Sequence, residues 1–432
     1  MDHVESGALR TPIEQRLAAL RGSAPQRSLD ARALAALAAN PGCRRRAVLD
    51  AAGVDKAALA DRLGSPAPFG QSPFAIARGL RFESRVKSNG CAELLELLRG
   101  QLTLAPPYSA AEDCPVRLAE LVTDPKLPAQ RVASTRAALA EAADSPGVWT
   151  LLDHPLLRLE VAGSSVLLEP DVVAVRPDGR WTVVEIKSFP ILDGSADPAK
   201  VGAAARQIAV YVLALRATAA ELAGEKPSDD PYDPYATPEG LAGAPTDTAL
   251  LVCPKDFSNR AAAATVDVRK PMAVTRRQLD RLTRVEQLLD TLPTGTSFDL
   301  DPVRDGDTLD RAVGLLDAVY APDCLASCEL AFHCRQEARC AGAVEALGRG
   351  VRGELGSLRT VDAALAAAAA APTRGEPGSA PGAGAVAADE AAARLAYAAA
   401  LRAEALALGR AVGATAEAGA TADASTGAGG PG

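Results

Sequence analysis

Two acidic residues and one lysine stand at a spacing that suits metal-dependent chemistry. Asp171 follows a proline in one apolar run, and Glu185 stands two residues before Lys187 in the next. Side chains on a strand alternate between its two faces, so Glu185 and Lys187 point to the same side. A pair of carboxylates can hold Mg²⁺ or Mn²⁺, and a lysine one pleat away can orient an attacking water and stabilise charge on a phosphate.

A predicted hairpin brings these carboxylates together. Pro-Asp-Gly at residues 177–179 suits a three-residue connection in which Gly179 takes the left-handed conformation. This register places Asp171 opposite Glu185, about 5 Å away, where the two charges repel in the absence of a cation. The alternative is an ordinary strand triplet with solvated charges. The apolar neighbours favour the metal interpretation, because buried charges need partners.

A cysteine cluster lies further along the chain, and its members are Cys324, Cys328, Cys334 and Cys340. Thiols of a chain without an export signal are expected to be reduced, so clustering favours a metal over disulfides. Zinc is one candidate, bound by four thiolates or by three thiolates and His333. Unliganded thiols are another. Three other cysteines are interpreted as small buried apolar side chains: Cys91, Cys114 and Cys253.

Hydrophobic patterns predict a sheet that carries the carboxylates. Alternation with a period of two predicts three strands joined as a β-meander, at 156–163, 166–175 and 181–189. Further upstream, residues 28–64 predict two short helices joined by a turn at 40–42.

The region after the lysine strand predicts alternating helix and strand. A helix is predicted from about Pro198 to Leu222, followed by a flexible Pro/Asp/Gly-rich insert at 224–246. Two apolar runs at 249–253 and 264–268 extend the predicted sheet, and helices resume over 274–292. The pattern as a whole predicts an α/β fold.

The predicted organisation has three parts. Residues 1–27 form an N-terminal extension, and residues 28–350 form the main domain, which includes the cysteine cluster at 324–340. The Ala/Gly-rich tail at 351–432 is predicted to be largely disordered, with one helix over 389–409.

Composition excludes some classes of protein. The formal net charge of −8 argues against a general DNA-coating protein, because non-specific affinity comes largely from phosphate neutralisation. No long apolar run predicts a membrane span, and without an export signal the expected location is cytoplasmic. No G-x4-G-K-[S/T] loop is present, so the sequence predicts no P-loop motor.

The hairpin residues resemble the PD-(D/E)XK nuclease superfamily, whose signature is Pro-Asp on one strand and Asp/Glu-x-Lys on the next. The matching residues here are Asp171, Glu185 and Lys187. Gln207 and Tyr211, spaced to share a helix face, resemble a substrate-binding pair beside the active site in the RecB-type exonuclease branch. The resemblance implies a restriction-endonuclease-like core, which is a mixed central sheet flanked by helices, with helical N- and C-terminal extensions.

The same branch carries a histidine or an acidic residue at the metal, on an upstream helix. Glu83 fills that position here. The resemblance therefore implies a metal site formed by Glu83, Asp171, Glu185 and the carbonyl of Ile186. The structural alternatives are a solvated charge at Glu83 and ordinary helix-flank residues at the Gln/Tyr pair.

The cysteines add a third similarity. Iron-sulfur nucleases of this branch, among them CRISPR-associated adaptation exonucleases and AddB-type nuclease domains, carry one cysteine before the nuclease core and three after it. The resemblance implies a 4Fe-4S cluster on Cys43, Cys324, Cys328 and Cys334, with Cys340 as the spare. Such a cluster closes a very long loop and is mainly structural. Spacing alone does not exclude another ligand set, formed by Cys324, Cys328, Cys334 and Cys340.

These features predict a metal-dependent DNA nuclease. The expected activity is that of an exonuclease on DNA ends or single strands, with a separate helicase or repair partner and no membrane. One alternative is a non-catalytic DNA-binding or scaffold relative with a structural zinc or iron-sulfur site. Another is a protein-interaction module with a structural zinc site. Intact Asp171, Glu185 and Lys187 favour the enzyme.

Overall fold

The computed structural model of the chain describes residues 12–66, 73–105, 108, 114–161, 164–224, 245–256, 258, 260–282, 285–303, 305–370 and 390–408. No helix among them is long and apolar enough to cross a membrane. The chain divides into two compact units, unit 1 with residues 1–319 and 323–332, and unit 2 with residues 320–322 and 333–432. The domain predicted over 28–350 therefore has residues in both units.

The helices of unit 1 are α1 (Pro12–Arg21), α2 (Ala31–Ala39), α3 (Arg44–Ala52), α4 (Lys56–Arg62), α5 (Pro73–Val86), α6 (Ser88–Gln101), α7 (Pro128–Ala143), α8 (Pro198–Leu222), α9 (Arg269–Leu282), α10 (Val285–Leu289), α11 (Gly306–Gly314) and α12 (Cys324–Ser327). Its strands are β1 (Val116–Leu118), β2 (Trp149–Asp153), β3 (Leu157–Val161), β4 (Ser164–Leu168), β5 (Val172–Val175), β6 (Trp181–Ile186), β7 (Thr248–Pro254) and β8 (Ala261–Asp267). Helix α13 (Ala331–Cys340) crosses the unit boundary. In unit 2 it is followed by a 3-10 helix (Val344–Leu347), α14 (Arg349–Glu354), α15 (Val361–Ala369) and a helix at 390–408.

Unit 1 has a mixed six-stranded sheet in the order β1-β2-β5-β6-β7-β8. Its central strands β5 and β6 are antiparallel, and β6 runs parallel to β7 after the crossover through α8. Asp197 caps α8 by accepting a hydrogen bond from the Ala199 N–H, and Pro198 occupies the first turn, where no N–H is needed. The predicted helix at 198–222 and the predicted α/β class are thus confirmed.

The predicted strand at 166–175 is wrong as one continuous element. It is divided into β4, which pairs with β3 in a separate two-stranded sheet, and β5, which belongs to the large sheet. Pro170 stands at the division, because it lacks the N–H that a sheet ladder requires. The division leaves Asp171 immediately before β5, in a bend rather than in a strand.

The sheet has an apolar layer on each face. On one side, Trp181 and Val183 pack with Ile208 of α8 in one buried cluster. On the other, Val184 and Ile186 join a cluster that includes Phe82 of α5. This alternation along β6 matches the predicted two faces of the strand. Both flanking helices therefore have fixed positions next to the end of β6.

The ends of the chain differ in part from the predictions. Residues 28–64 form three helices rather than two, because Asp55 caps an additional helix, α4. The helices predicted over 274–292 lie at α9 and α10. In the tail, α15 is capped by Thr360, a signal that the Ala-rich composition obscured. Much of the predicted insert and tail, at 225–244, 371–389 and 409–432, lies outside the described residues.

Candidate metal centre and cysteine region

The hairpin between β5 and β6 has the predicted register. Pairing runs from Val175 opposite Trp181 to Val172 opposite Val184, and one further step places Asp171 opposite Glu185. Gly179 closes the turn in the left-handed conformation, with φ of 81°. This geometry confirms that local turn chemistry sets the spacing of the two carboxylates.

Asp171 is held by the neighbouring strand. Its Oδ2 accepts a hydrogen bond from the Ile186 N–H at 2.6 Å. Burial raises the pKa of Asp171, and Glu83 adds to the rise, whereas the Ile186 N–H and Lys187 oppose it. The bend after Pro170 thus aims one carboxylate oxygen at β6 and fixes the side chain.

Glu185 is the most deeply buried carboxylate of the centre, with 1% of the residue exposed. Its described ionic partner is Lys187, whose Nζ lies 2.5 Å from Oε1. Burial raises the pKa of Glu185 to about 7, Lys187 opposes this, and the negative charges of Asp171 and Glu83 increase it. Burial and the two neighbouring carboxylates therefore outweigh the one ammonium in contact with Glu185.

Lys187 is oriented by the two helix residues that the sequence singled out. Its Nζ donates to Gln207 Oε1 at 3.1 Å, and Gln207 Nε2 donates to the Tyr211 hydroxyl at 2.9 Å. Tyr211 is buried, and burial raises its pKa. Gln207 thus contacts Lys187 directly, and Tyr211 contacts Gln207 but not the lysine.

Glu83 reaches the centre from α5. His154 Nε2 lies 2.9 Å from Glu83 Oε1, and Lys87 Nζ donates to the same oxygen at 2.6 Å. The hydrogen bond with His154 lowers the pKa of Glu83 to about 2, with Lys87 contributing and burial opposing. Glu83 is therefore a charged member of the centre.

His154, which sequence reasoning missed, lies directly after β2. Ligand atoms of Glu83, His154 and Asp171 all lie within 4.8 Å of one another, and no other such set of His, Cys, Asp or Glu occurs in the described part of the chain. His154 has a left-handed backbone, with φ of 46°, which is uncommon for a residue other than glycine. Its N–H donates to the Asp171 carbonyl at 3.2 Å. The signal was available in Asp-His-Pro after an apolar run, but β2 has no alternating pattern and was not predicted.

Lys87 provides the positive charge at the middle of this group. Its Nζ lies 2.7 Å from Asp153 Oδ1 and 3.0 Å from His154 Nε2, and it donates to the Asp171 carbonyl at 3.0 Å. These contacts add to its bond with Glu83. The Lys87 ammonium is thus surrounded by carboxylate, carbonyl and imidazole atoms of the kinds that bind metal cations.

The Cys43 segment lies beside the Cys324 segment within unit 1. Asn40 Nδ2 donates to Cys324 Sγ at 3.3 Å, and Arg46 donates to the Ser327 carbonyl at 2.6 Å across 281 residues. Cys328 is buried, which raises its pKa to about 11, although Arg46 opposes the rise. Two chain segments that carry predicted ligands are therefore adjacent.

The cysteine ligand set itself stays a prediction. Cys43, Cys324 and Cys328 do not form a set of three within 4.8 Å. In unit 2, Cys334 is buried and Cys340 is exposed. The three cysteines predicted to be small buried side chains are all buried, which confirms that interpretation: Cys91, Cys114 and Cys253.

Comparison with models of known protein families gave no match for this sequence, and comparison with curated proteins gave none either.

Proposed function

We propose that this chain is a Mg²⁺- or Mn²⁺-dependent deoxyribonuclease of the PD-(D/E)XK type. The observation that carries the proposal is Glu185, a fully buried carboxylate placed opposite Asp171, with the ammonium of Lys187 as its described ionic partner. A buried negative charge requires compensation, and a second carboxylate increases that requirement. A divalent cation satisfies both, and oxygen donors are the ligands that Mg²⁺ prefers.

Four side chains would hold the ion: Glu83, His154, Asp171 and Glu185. When bound, it would polarise a scissile phosphate and lower the pKa of a coordinated water. Lys187, held at 3.1 Å by Gln207, is oriented to contact the attacking water or a phosphate oxygen. The Ile186 N–H keeps Asp171 Oδ2 in place, and the Ile186 carbonyl remains a proposed further ligand.

The cysteine region supports a structural cluster. Tetrahedral zinc with Zn–S bonds of about 2.3 Å brings its sulfurs to roughly 3.8 Å from one another. The three thiols of unit 1 do not form a set within 4.8 Å, so the preference for a 4Fe-4S group over zinc rests on the resemblance. The proposed ligands are Cys43, Cys324, Cys328 and Cys334. Iron and zinc analysis of anaerobically purified protein, with its visible absorbance, distinguishes the two metals.

The decisive experiment measures cleavage of end-labelled single- and double-stranded DNA by anaerobically purified protein with Mg²⁺ or Mn²⁺. Lys187→Ala is expected to reduce the rate at least about 10²-fold. Lys126→Ala, which removes an exposed lysine of α7's preceding loop, is the matched control and should cleave normally. Cleavage retained in Lys187→Ala would contradict the assigned site. No cleavage by cluster-loaded wild-type protein would favour a non-catalytic DNA-binding or scaffold role.

A further inference from the structure

His154 has an unusual backbone conformation that hydrogen bonds from two neighbouring elements hold in place. Its φ of 46° lies in the left-handed region. The His154 N–H donates to the Asp171 carbonyl at 3.2 Å, and the His154 carbonyl accepts from Arg131 Nη2 at 3.3 Å. One turn further along α7, the buried Thr135 hydroxyl accepts from the Leu156 N–H at 3.0 Å. Such a conformation persists only where its surroundings fix it, so α7 and the segment before β5 determine where the imidazole lies.

The two ring nitrogens of His154 face different carboxylates. Nε2 lies 2.9 Å from Glu83 Oε1, which belongs to the metal centre. Nδ1 lies 3.6 Å from Glu169 Oε1, which does not. A metal-binding histidine commonly donates its second ring N–H to a carboxylate, and this bond fixes both the tautomer and the orientation of the ring. Glu169 therefore lies where such a carboxylate is needed.

Arg131 links this carboxylate to the backbone of the histidine. The Nη2 atom that donates to the His154 carbonyl also lies 3.1 Å from Glu169 Oε1. The Arg131 side chain is only 12% exposed, whereas that of Glu169 is 40% exposed. Because a guanidinium is planar and rigid, a largely buried one restrains a more exposed carboxylate in one orientation. Arg131 thus fixes Glu169 and His154 relative to each other.

The segment at 169–171 contacts His154 at two points. Glu169 Oε1 faces the ring, and the Asp171 carbonyl accepts the backbone N–H. Pro170 stands between these two residues and fixes one backbone dihedral, which restricts the spacing of the two contacts. The segment that carries the proposed ligand Asp171 therefore also orients the imidazole.

We propose that Arg131 and Glu169 are positioning residues that orient His154 so that its Nε2 binds the metal ion. This inference rests on the proposed metal centre and assigns a role to two residues that are not ligands. With the proton on Nδ1, directed at Glu169, the Nε2 lone pair is available to the ion. Metal affinity then depends on α7, although none of the four proposed side-chain ligands lies on that helix.

The test measures Mn²⁺ binding to the anaerobically purified full chain by isothermal titration calorimetry, together with the nitrogen hyperfine coupling of bound Mn²⁺ in pulsed electron paramagnetic resonance. The wild type should show coupling to an imidazole nitrogen, and His154→Ala should lose it. Arg131→Met and Glu169→Leu should weaken Mn²⁺ binding at least about tenfold and reduce this coupling. Arg136→Met removes another arginine of α7, paired with Glu221 at 2.9 Å, and should bind Mn²⁺ as the wild type does.

Glu169→Gln distinguishes orientation of the ring from a merely structural role. The substitution keeps an oxygen acceptor for the Nδ1–H and for Arg131, so it should recover most of the affinity that Glu169→Leu loses. Circular dichroism and the thermal midpoint show whether each variant folds. Wild-type Mn²⁺ affinity and nitrogen coupling in folded Glu169→Leu would overturn the proposal, whatever the result for Arg131→Met.

The outcomes separate this proposal from the nuclease proposal. DNA cleavage by the wild type, with unchanged Mn²⁺ binding in the folded variants, overturns the positioning role and leaves the nuclease intact. Imidazole-coupled Mn²⁺ that the variants weaken, without DNA cleavage, overturns the nuclease and leaves the positioning role intact. Absence of Mn²⁺ binding or of nitrogen coupling in the wild type overturns the positioning role.

Discussion

Two buried carboxylates, Asp50 in α3 and Glu185 in β6, have opposite surroundings. Asp50 contacts Arg46 at 3.0 Å and Lys56 at 2.5 Å through its two oxygens. Glu185 has one described cationic partner, Lys187, whose Nζ lies 2.5 Å from Oε1, and the like charges of Asp171 and Glu83 raise its pKa. The comparison shows that this chain can provide two cations for one buried acid. The single described cation at Glu185 is the basis on which we propose a metal ion there.

The cations of the two regions, Arg46 and Lys56 beside Asp50 and Lys87 at the metal centre, can be compared in the same way. Burial alone would lower the pKa of Arg46, but Asp50 raises it overall, and the same holds for Lys56. At the metal centre, burial lowers the pKa of Lys87 while Asp153 and Glu83 raise it overall. The first network consists of permanent partners, whereas Lys87 occupies the position proposed for a metal.

The largest effect on stability is expected at Asp50. Asp50→Ala leaves the buried charge of Arg46 without the carboxylate that contacts it, and should lower the free energy of unfolding by about 3–5 kcal/mol in denaturant titrations. Asp317→Ala removes an exposed partner of Arg44 and should change the free energy of unfolding by less than about 1 kcal/mol. A small effect at Asp50 would show that its network is not a structural core.

Lys87→Met should tighten Mn²⁺ binding. The substitution removes the ammonium that competes for Glu83 and His154, so the dissociation constant should fall about tenfold, or ~1.4 kcal/mol. Isothermal titration calorimetry measures this directly, with Lys126→Met as the control. Weaker binding would mean that Lys87 holds the ligands in place instead of competing with the metal.

Asp55→Ala tests a carboxylate of the helical region that acts as a cap. Its Oδ1 accepts from the Ala57 and Ala58 N–H groups at 3.1 Å, so the loss should be about 1 kcal/mol at neutral pH. Burial would raise the pKa of Asp55, but the Ala58 N–H and Arg27 lower it overall from 3.8.

The sign of the pH effect at Asp55 follows from that lowered pKa. The folded carboxylate contributes its stability above the unfolded pKa and loses it as pH falls through the folded value. The difference between wild type and Asp55→Ala should therefore shrink below about pH 4. A difference that is constant with pH would show that the cap does not depend on the charge.

The smallest effect on stability is expected at the most buried acid. Glu185→Gln removes a buried charge whose desolvation outweighs its contact with Lys187, so the free energy of unfolding in EDTA should fall by no more than about 1 kcal/mol or should rise. Mn²⁺ should stabilise the wild type, by about 2.7 kcal/mol at a hundred times the dissociation constant, and stabilise this variant less. A loss comparable with that of Asp50→Ala would make Glu185 a structural residue.

Local sequence signals predicted the hairpin well and the rest of the centre only in part. Gly179 and the short turn set the register that places Asp171 opposite Glu185, and Asp197 with Pro198 sets the start of α8. These features depend on neighbouring residues, so one sequence is sufficient. The metal-ligand roles and the cysteine ligand set stay predictions.

The missed features depend on distant parts of the chain. His154 lies beside Asp171 because β2 pairs with β5, a pairing that no local pattern indicates. The buried Arg46 is satisfied by Ser327, 281 residues away. Burial on both faces removed the alternation that would have revealed β2.

The long-range bond of Arg46 also has a consequence during synthesis. Helix α3 is made early, but the carbonyl that its buried guanidinium contacts follows 281 residues later. At about 5–20 residues per second, the ribosome needs roughly 15–60 s to supply it. The nascent N-terminal helices therefore wait that long before Arg46 can make this hydrogen bond.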